Sequence, residues 1–169
     1  MNNIVLVGFM GTGKSVVGKQ LALRLNRPFI DLDRQIEKKA GRPVREIFTR
    51  DGEAAFRKLE AAAVREAAAL KEHVIATGGG VMCDEGNVEA LKASGTLVCL
   101  TAGADVILER TAATLASRPL LAGADPKERI EGLLKLRAPF YAKADITIDT
   151  VDRTPQQVME EVLCKIEKR

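Results

Sequence analysis

The sequence has no tryptophan, one tyrosine and five phenylalanines, too few rings to build a surface that stacks nucleobases. An excess of charge is equally scarce: 26 basic residues against 23 acidic leave a net +3. That balance suits a small anionic ligand and gives no argument for nucleic acid. The three cysteines, Cys83, Cys99 and Cys164, are odd in number and match no metal or redox spacing, so reduced, mostly buried thiols are expected. No apolar run is long enough for a membrane or signal segment, and Met1-Asn2-Asn3 carries no basic leader. The expectation is a cytoplasmic protein with neither a membrane nor a nucleic-acid partner. Low-complexity stretches, charge blocks and internal repeats are lacking too. What is left is 169 residues, 46% apolar and 29% charged, which fits one domain over 1–169 with a single sizeable core.

The informative stretch lies at the start. Ile4-Val5-Leu6-Val7 reads as a short strand buried on both faces. It meets Gly8 and becomes Gly8-Phe9-Met10-Gly11-Thr12-Gly13-Lys14-Ser15, the G-x-x-x-x-G-K-S pattern of a P-loop. Glycines let the chain turn with positive φ and aim several N–H groups into one concavity, and the following helix adds the positive end of its dipole. Lys14 brings a full charge to the β- and γ-phosphates of a nucleotide, and the Ser15 hydroxyl is a hard oxygen ligand for Mg²⁺. Gly11, Thr12, Gly13, Lys14, Ser15 and Val16 are therefore the expected phosphate-binding segment.

Beyond the loop, strands expected at 29–33, 73–77, 96–100 and 146–148 alternate with helices. Helices are expected at 36–40, 43–50, 53–70, 84–93 and 105–113, then at 126–143 and from Pro155 onward. A segment of about a dozen residues, 114–125, reads as an irregular loop, and loops of that length in compact domains are usually functional. The alternation implies an α/β fold, a parallel sheet with helices on both faces. Ligands in such sheets sit beyond the carboxyl ends of the strands. The P-loop, Asp31/Asp33 and Gly78-Gly79-Gly80 all follow strands and converge there.

Each remaining candidate has a bland alternative. Asp31 and Asp33, two apart, point the same way if the chain is extended, yet either could cap the next helix. The strand at 73–77 ends in glycine where many P-loop enzymes carry a metal-binding Asp. Asp31 is then the nearest carboxylate for Mg²⁺, and Asp33 is left to accept or orient an acceptor hydroxyl. Gly78, Gly79 and Gly80 fit either a flexible turn or a close approach of backbone to a ligand. Arg57, flanked by Glu53 and Glu60, reads first as a solvated ion pair. Arg110, Arg118, Arg137 and Arg153 are individually uninformative. A GTPase is excluded, because no Asp is followed three positions later by Gly.

Taken together these blocks resemble the shikimate kinase family. The resemblance runs through the P-loop, Phe29-Ile30-Asp31-Leu32-Asp33, Ile36-Glu37, Ile47-Phe48, Gly52-Glu53, Phe56-Arg57, Glu60, the glycine triplet, Arg118-Pro119-Leu120-Leu121, and Arg137 four before Tyr141. It implies a three-layer α/β/α P-loop NTPase fold with five parallel strands in the order 2-3-1-4-5, and a monomer. It also implies transfer of the ATP γ-phosphoryl group to the 3-hydroxyl of shikimate, a step of aromatic amino-acid synthesis, with Mg²⁺. Arg57 and Arg137 would hold the shikimate carboxylate and Asp33 the hydroxyl, with backbone from Gly78, Gly79 and Gly80. The acceptor-binding helical segment would span about 33–61. Arg118 would reach the phosphates from a lid at about 112–125, while Arg110 and Pro155 flank the adenine with Arg153 nearby. Ala112-Ala113-Thr114-Leu115-Ala116 is more apolar than lids of this family often are. A gluconate-type kinase could use the same loop and arginines, but the D-x-D pair and glycine triplet oppose it. A nucleotide-binding module without catalysis is opposed by Lys14, Ser15, Asp33 and Arg118.

Overall fold

The computed structural model describes residues 2–117, 119–121 and 125–168. Five strands form one sheet: β1 (Asn3–Val7), β2 (Phe29–Asp31), β3 (Val74–Ala76), β4 (Gly95–Thr101) and β5 (Ile146–Asp149). Their order is β2-β3-β1-β4-β5 and every pairing is parallel, as expected. The helices are α1 (Lys14–Leu25), α2 (Leu32–Ala40), α3 (Val44–Ala68), α4 (Glu85–Ser94), α5 (Ala104–Thr111), α6 (Pro126–Tyr141) and α7 (Pro155–Glu167).

The central strand explains the layering. All five residues of β1 are buried, and its side chains alternate between two cores, as the two-residue period of a strand requires. Ile4 and Leu6 pack with Val17 and Leu21 of α1 and with Val158, Met159 and Val162 of α7. Val5 and Val7 join Phe56 and Val64 of α3, Leu91 of α4, Ile107 of α5 and Ile130 of α6. The result is a three-layer α/β/α sandwich whose strand tips all end at one edge. No helix among the described residues is long and apolar enough to cross a membrane.

Four local expectations are corrected. The second strand ends at Asp31, and α2 begins at Leu32, because the Asp31 carboxylate caps the helix by accepting from the Arg34 N–H. Asp33 therefore sits in a first helical turn, not on a strand. The helices expected at 43–50 and 53–70 are joined in α3, which is kinked at Gly52 (φ 85°, ψ 170°). The stretch after α5 is not wholly irregular: its described residues form short 3₁₀ turns at Ala112–Ser117 and Pro119–Leu121. Of the cysteines only Cys99 is buried, while Cys83 and Cys164 are exposed. Burial on β4 pushes the Cys99 thiol up to about 11.

Candidate active site

The P-loop links β1 to α1 with Gly8, Gly11 and Gly13 at φ 129°, 78° and 93°, a region other residues rarely enter. Gly8 is also fixed by space, since a Cβ there would lie 2.2 Å from the Leu100 carbonyl oxygen on β4. Gly13 begins α1 with no side-chain cap, so the helix offers its first N–H groups to the loop's concavity. Within the loop, the Thr12 hydroxyl donates to the Phe9 carbonyl at 2.8 Å. The buried Lys14 ammonium donates to the Gly8 and Phe9 carbonyls, both at 2.8 Å. Val16 is exposed beside them.

Ser15 donates its hydroxyl to Asp31 Oδ2 at 2.6 Å, so Asp31 caps α2 and faces the loop with the same carboxylate. Asp33 lies two residues further, in the first turn of α2. Its Oδ1 is buried with no hydrogen-bond partner among the described residues. Burial, with help from the neighbouring Asp31 charge and against the pull of Lys14, holds its carboxyl above the usual range.

A cavity of about 280 Å³ opens beside this acid, lined by Val44, Phe48, Phe56, Arg57, Glu60, Leu120 and Arg137 among others. A second cleft runs along the P-loop past Lys14, Ser15 and Asp31. Met10, Asp33 and Gly79 line both. The acid thus stands where the two cavities meet.

Arg57 is only in part a solvated ion pair, exposed towards Glu53 and buried towards Glu60. It donates to Glu60 Oε2 at 2.7 Å and to Glu53 Oε1 at 2.9 Å, and the Glu60 side chain is 2% exposed. Burial raises the Glu60 carboxyl, and Arg57 offsets part of that rise. Arg137, 5% exposed, sits over the Phe9 ring and donates to the Gly79 carbonyl at 3.2 Å. Both guanidinium groups line the same chamber.

The glycine triplet is a matter of space, not of unusual backbone angles, because none of the three has a positive φ. A Cβ on Gly78 would lie 2.9 Å from Asp33 Oδ1 and 2.9 Å from Glu60 Oε1. One on Gly80 would lie 2.5 Å from Arg57 Nη1, and one on Gly79 3.4 Å from Arg137 Nη1 and from the Met10 nitrogen.

At the outer end of the cleft, Arg110 donates to the Thr150 hydroxyl and carbonyl, each at 2.8 Å, and to the Gly11 carbonyl at 3.4 Å. Pro155 opens α7 under a Thr154 capping box, and Arg153 next to it is ion-paired with Glu161. Arg118 lies outside the described residues. Sequence reasoning missed the Thr150 anchor, the Phe9 ring beneath Arg137, and the Tyr141 hydroxyl, which donates to the Gly79 carbonyl at 2.6 Å. A buried residue that is also the chain's sole tyrosine was the available signal for the last.

Comparison with known proteins identifies the family. The family model described as "Shikimate kinase" matches residues 10–167. A shikimate kinase of Caldanaerobacter subterraneus subsp. tengcongensis is 53% identical over 163 residues, covering 96% of this chain and 95% of the relative. One of Thermodesulfovibrio yellowstonii is 46% identical, covering 99% and 96%. Among solved structures, the shikimate kinase of Acinetobacter baumannii in complex with shikimate superposes with a TM-score of 0.96 at 38% identity, covering 99% and 94%. The chain belongs to the shikimate kinase family.

Proposed function

We propose that the protein transfers the γ-phosphoryl group of ATP to the 3-hydroxyl of shikimate, giving shikimate 3-phosphate and ADP in aromatic amino-acid synthesis. The observation that carries the reading is the place of Asp33, in the wall common to both cavities with one carboxylate oxygen unpaired. That oxygen accepts and orients the attacking hydroxyl. Arg57 and Arg137 bind the acceptor's carboxylate as planar, two-pronged donors, and the Gly78–Gly80 backbone closes the chamber. The acceptor-binding segment is about 33–61.

On the nucleotide side, the N–H groups of residues 11–16 cradle the phosphates, and Lys14 exchanges its loop carbonyls for phosphate oxygens. Arg110 and Pro155 flank the adenine, with Arg153 beside them. Arg118 meets the phosphates from a lid at about 112–125, which keeps water from the reacting group. Ser15 and Asp31 present two hard oxygens 2.6 Å apart at the cradle's edge, a donor set that fits Mg²⁺. Mg²⁺ held there would neutralise phosphate charge during the transfer. No covalent enzyme intermediate is needed, since positioning and charge neutralisation suffice. The protein works as a cytoplasmic monomer without a nucleic-acid partner.

The test is ADP release coupled to a reporter, with shikimate, gluconate or no acceptor. Release that depends on shikimate is expected. Release that shikimate does not accelerate, or that gluconate accelerates more, removes the assignment.

A further inference from the structure

Gly79 belongs to both cavities, and among the described residues its carbonyl oxygen accepts from two side-chain donors on α6. Tyr141 Oη donates at 2.6 Å and Arg137 Nη1 at 3.2 Å. The two donors are four residues apart, one turn of the same helix face, and they reach a peptide 58 and 62 positions away in sequence. Tyr141 is 8% exposed; burial pushes its phenol pKa upward, the Arg137 guanidinium beside it offsets part of that rise, and it stays a neutral donor. The guanidinium of Arg137 is further confined by the Phe9 ring, 5.5 Å from its centre. The shorter bond belongs to the residue that does not line the chamber.

We infer that Tyr141 is a positioning residue: its hydroxyl fixes the Gly79 carbonyl, which in turn seats Arg137, so that affinity for the acceptor acid depends on a phenol that never touches it. This deepens the function proposed above and rests on it for the identity of the acid. The KM for ATP should move less than that for the acceptor, because neither Tyr141 nor Arg137 lines the P-loop cleft, although Gly79 itself does.

Tyr141→Phe keeps the buried ring and removes only the donor. One lost hydrogen bond corresponds to a rise of about three- to tenfold in the KM for shikimate, with the KM for ATP held within about twofold. Whether the wild-type protein turns over shikimate is scored first and tests the reading of the site. The ratio of variant to wild type, with shikimate or whichever acid proves to be the acceptor, tests Tyr141 alone. The same substitution placed on Arg137→Lys should change the acceptor KM by less than about twofold, since coupled residues are not additive. Thermal midpoints of all four proteins report folding independently. A rise confined to the acceptor, lost on the Arg137→Lys background, is the expected result. Both KM values moving together, neither moving, or a full effect on the Arg137→Lys background overturns the inference.

Discussion

Asp33 Oδ1 and Glu60 Oε1 converge on one point: each lies 2.9 Å from where a Cβ on Gly78 would sit, and neither has a hydrogen-bond partner among the described residues. Two buried carboxylate oxygens without donors are unfavourable in an empty chamber. An acceptor bearing hydroxyl groups would supply the missing donors and relieve that cost. Gly78→Ala puts a methyl group at that point. Because Gly78 has an ordinary φ, the fold should survive, with a thermal midpoint near that of the wild type. The KM for shikimate should rise by at least about tenfold, with ATP nearly unaffected. An unchanged KM for shikimate would mean that the acceptor does not use this space.

Asp33→Asn tests the acid itself. It keeps the shape and removes the base, so turnover should fall by about 10²- to 10⁴-fold. Binding of ADP, measured by calorimetry, should change little, since Lys14 and the loop carry the phosphates. Activity within a few-fold of wild type would reduce Asp33 to a residue of the α2 first turn.

Tyr141 gives a pH prediction with its own reporter. It is the chain's one tyrosine, and there is no tryptophan, so absorbance at about 295 nm follows this phenol alone. Burial raises its pKa in the folded protein above the free value of about 10. The unfolded chain therefore loses the proton first. The stability tied to the neutral phenol is complete below about pH 10 and declines as pH rises above it. Phenolate should appear together with loss of the far-ultraviolet circular dichroism signal, and Tyr141→Phe should resist alkali better. A phenolate spectrum at about pH 10 with the fold intact would contradict the burial argument.

Gly52 isolates backbone strain. Its φ of 85° and ψ of 170° interrupt α3, yet a Cβ there would meet nothing within 4 Å. Gly52→Ala should then destabilise by about 1–3 kcal/mol through the backbone alone. In a chain of this size that lowers the thermal midpoint by roughly 2–4 °C for each kcal/mol. An unshifted midpoint would show that α3 can straighten without loss.

The parts of this molecule that local chemistry specifies were legible in the sequence. A buried strand running into a glycine loop and a lysine left little freedom at 4–15, and the alternation of strands and helices gave the layers. The strand order came from resemblance, because spacing does not say which neighbours pair. The long-range partnerships were hidden. Arg57 and Glu60 looked like a surface pair because their helix spacing is the same whether or not α3 is covered. In the fold, one side of that helix closes the chamber and Glu60 is buried. Asp33 looked like a strand residue because either Asp31 or Asp33 could cap the next helix, and spacing alone does not say which one does. Thr150 lies 40 positions from Arg110, and Tyr141 62 from Gly79, so their bonds depend on the whole sheet being assembled.

Met10, Asp33 and Gly79 are shared by the two cavities, which therefore adjoin. A single tethered molecule, with an acid ring at one end and a polyphosphate at the other, needs no more than a short bridge to fill both compartments. Joining the two ends turns the second docking event into an intramolecular one, so a linked inhibitor should hold this enzyme far more tightly than either half added alone.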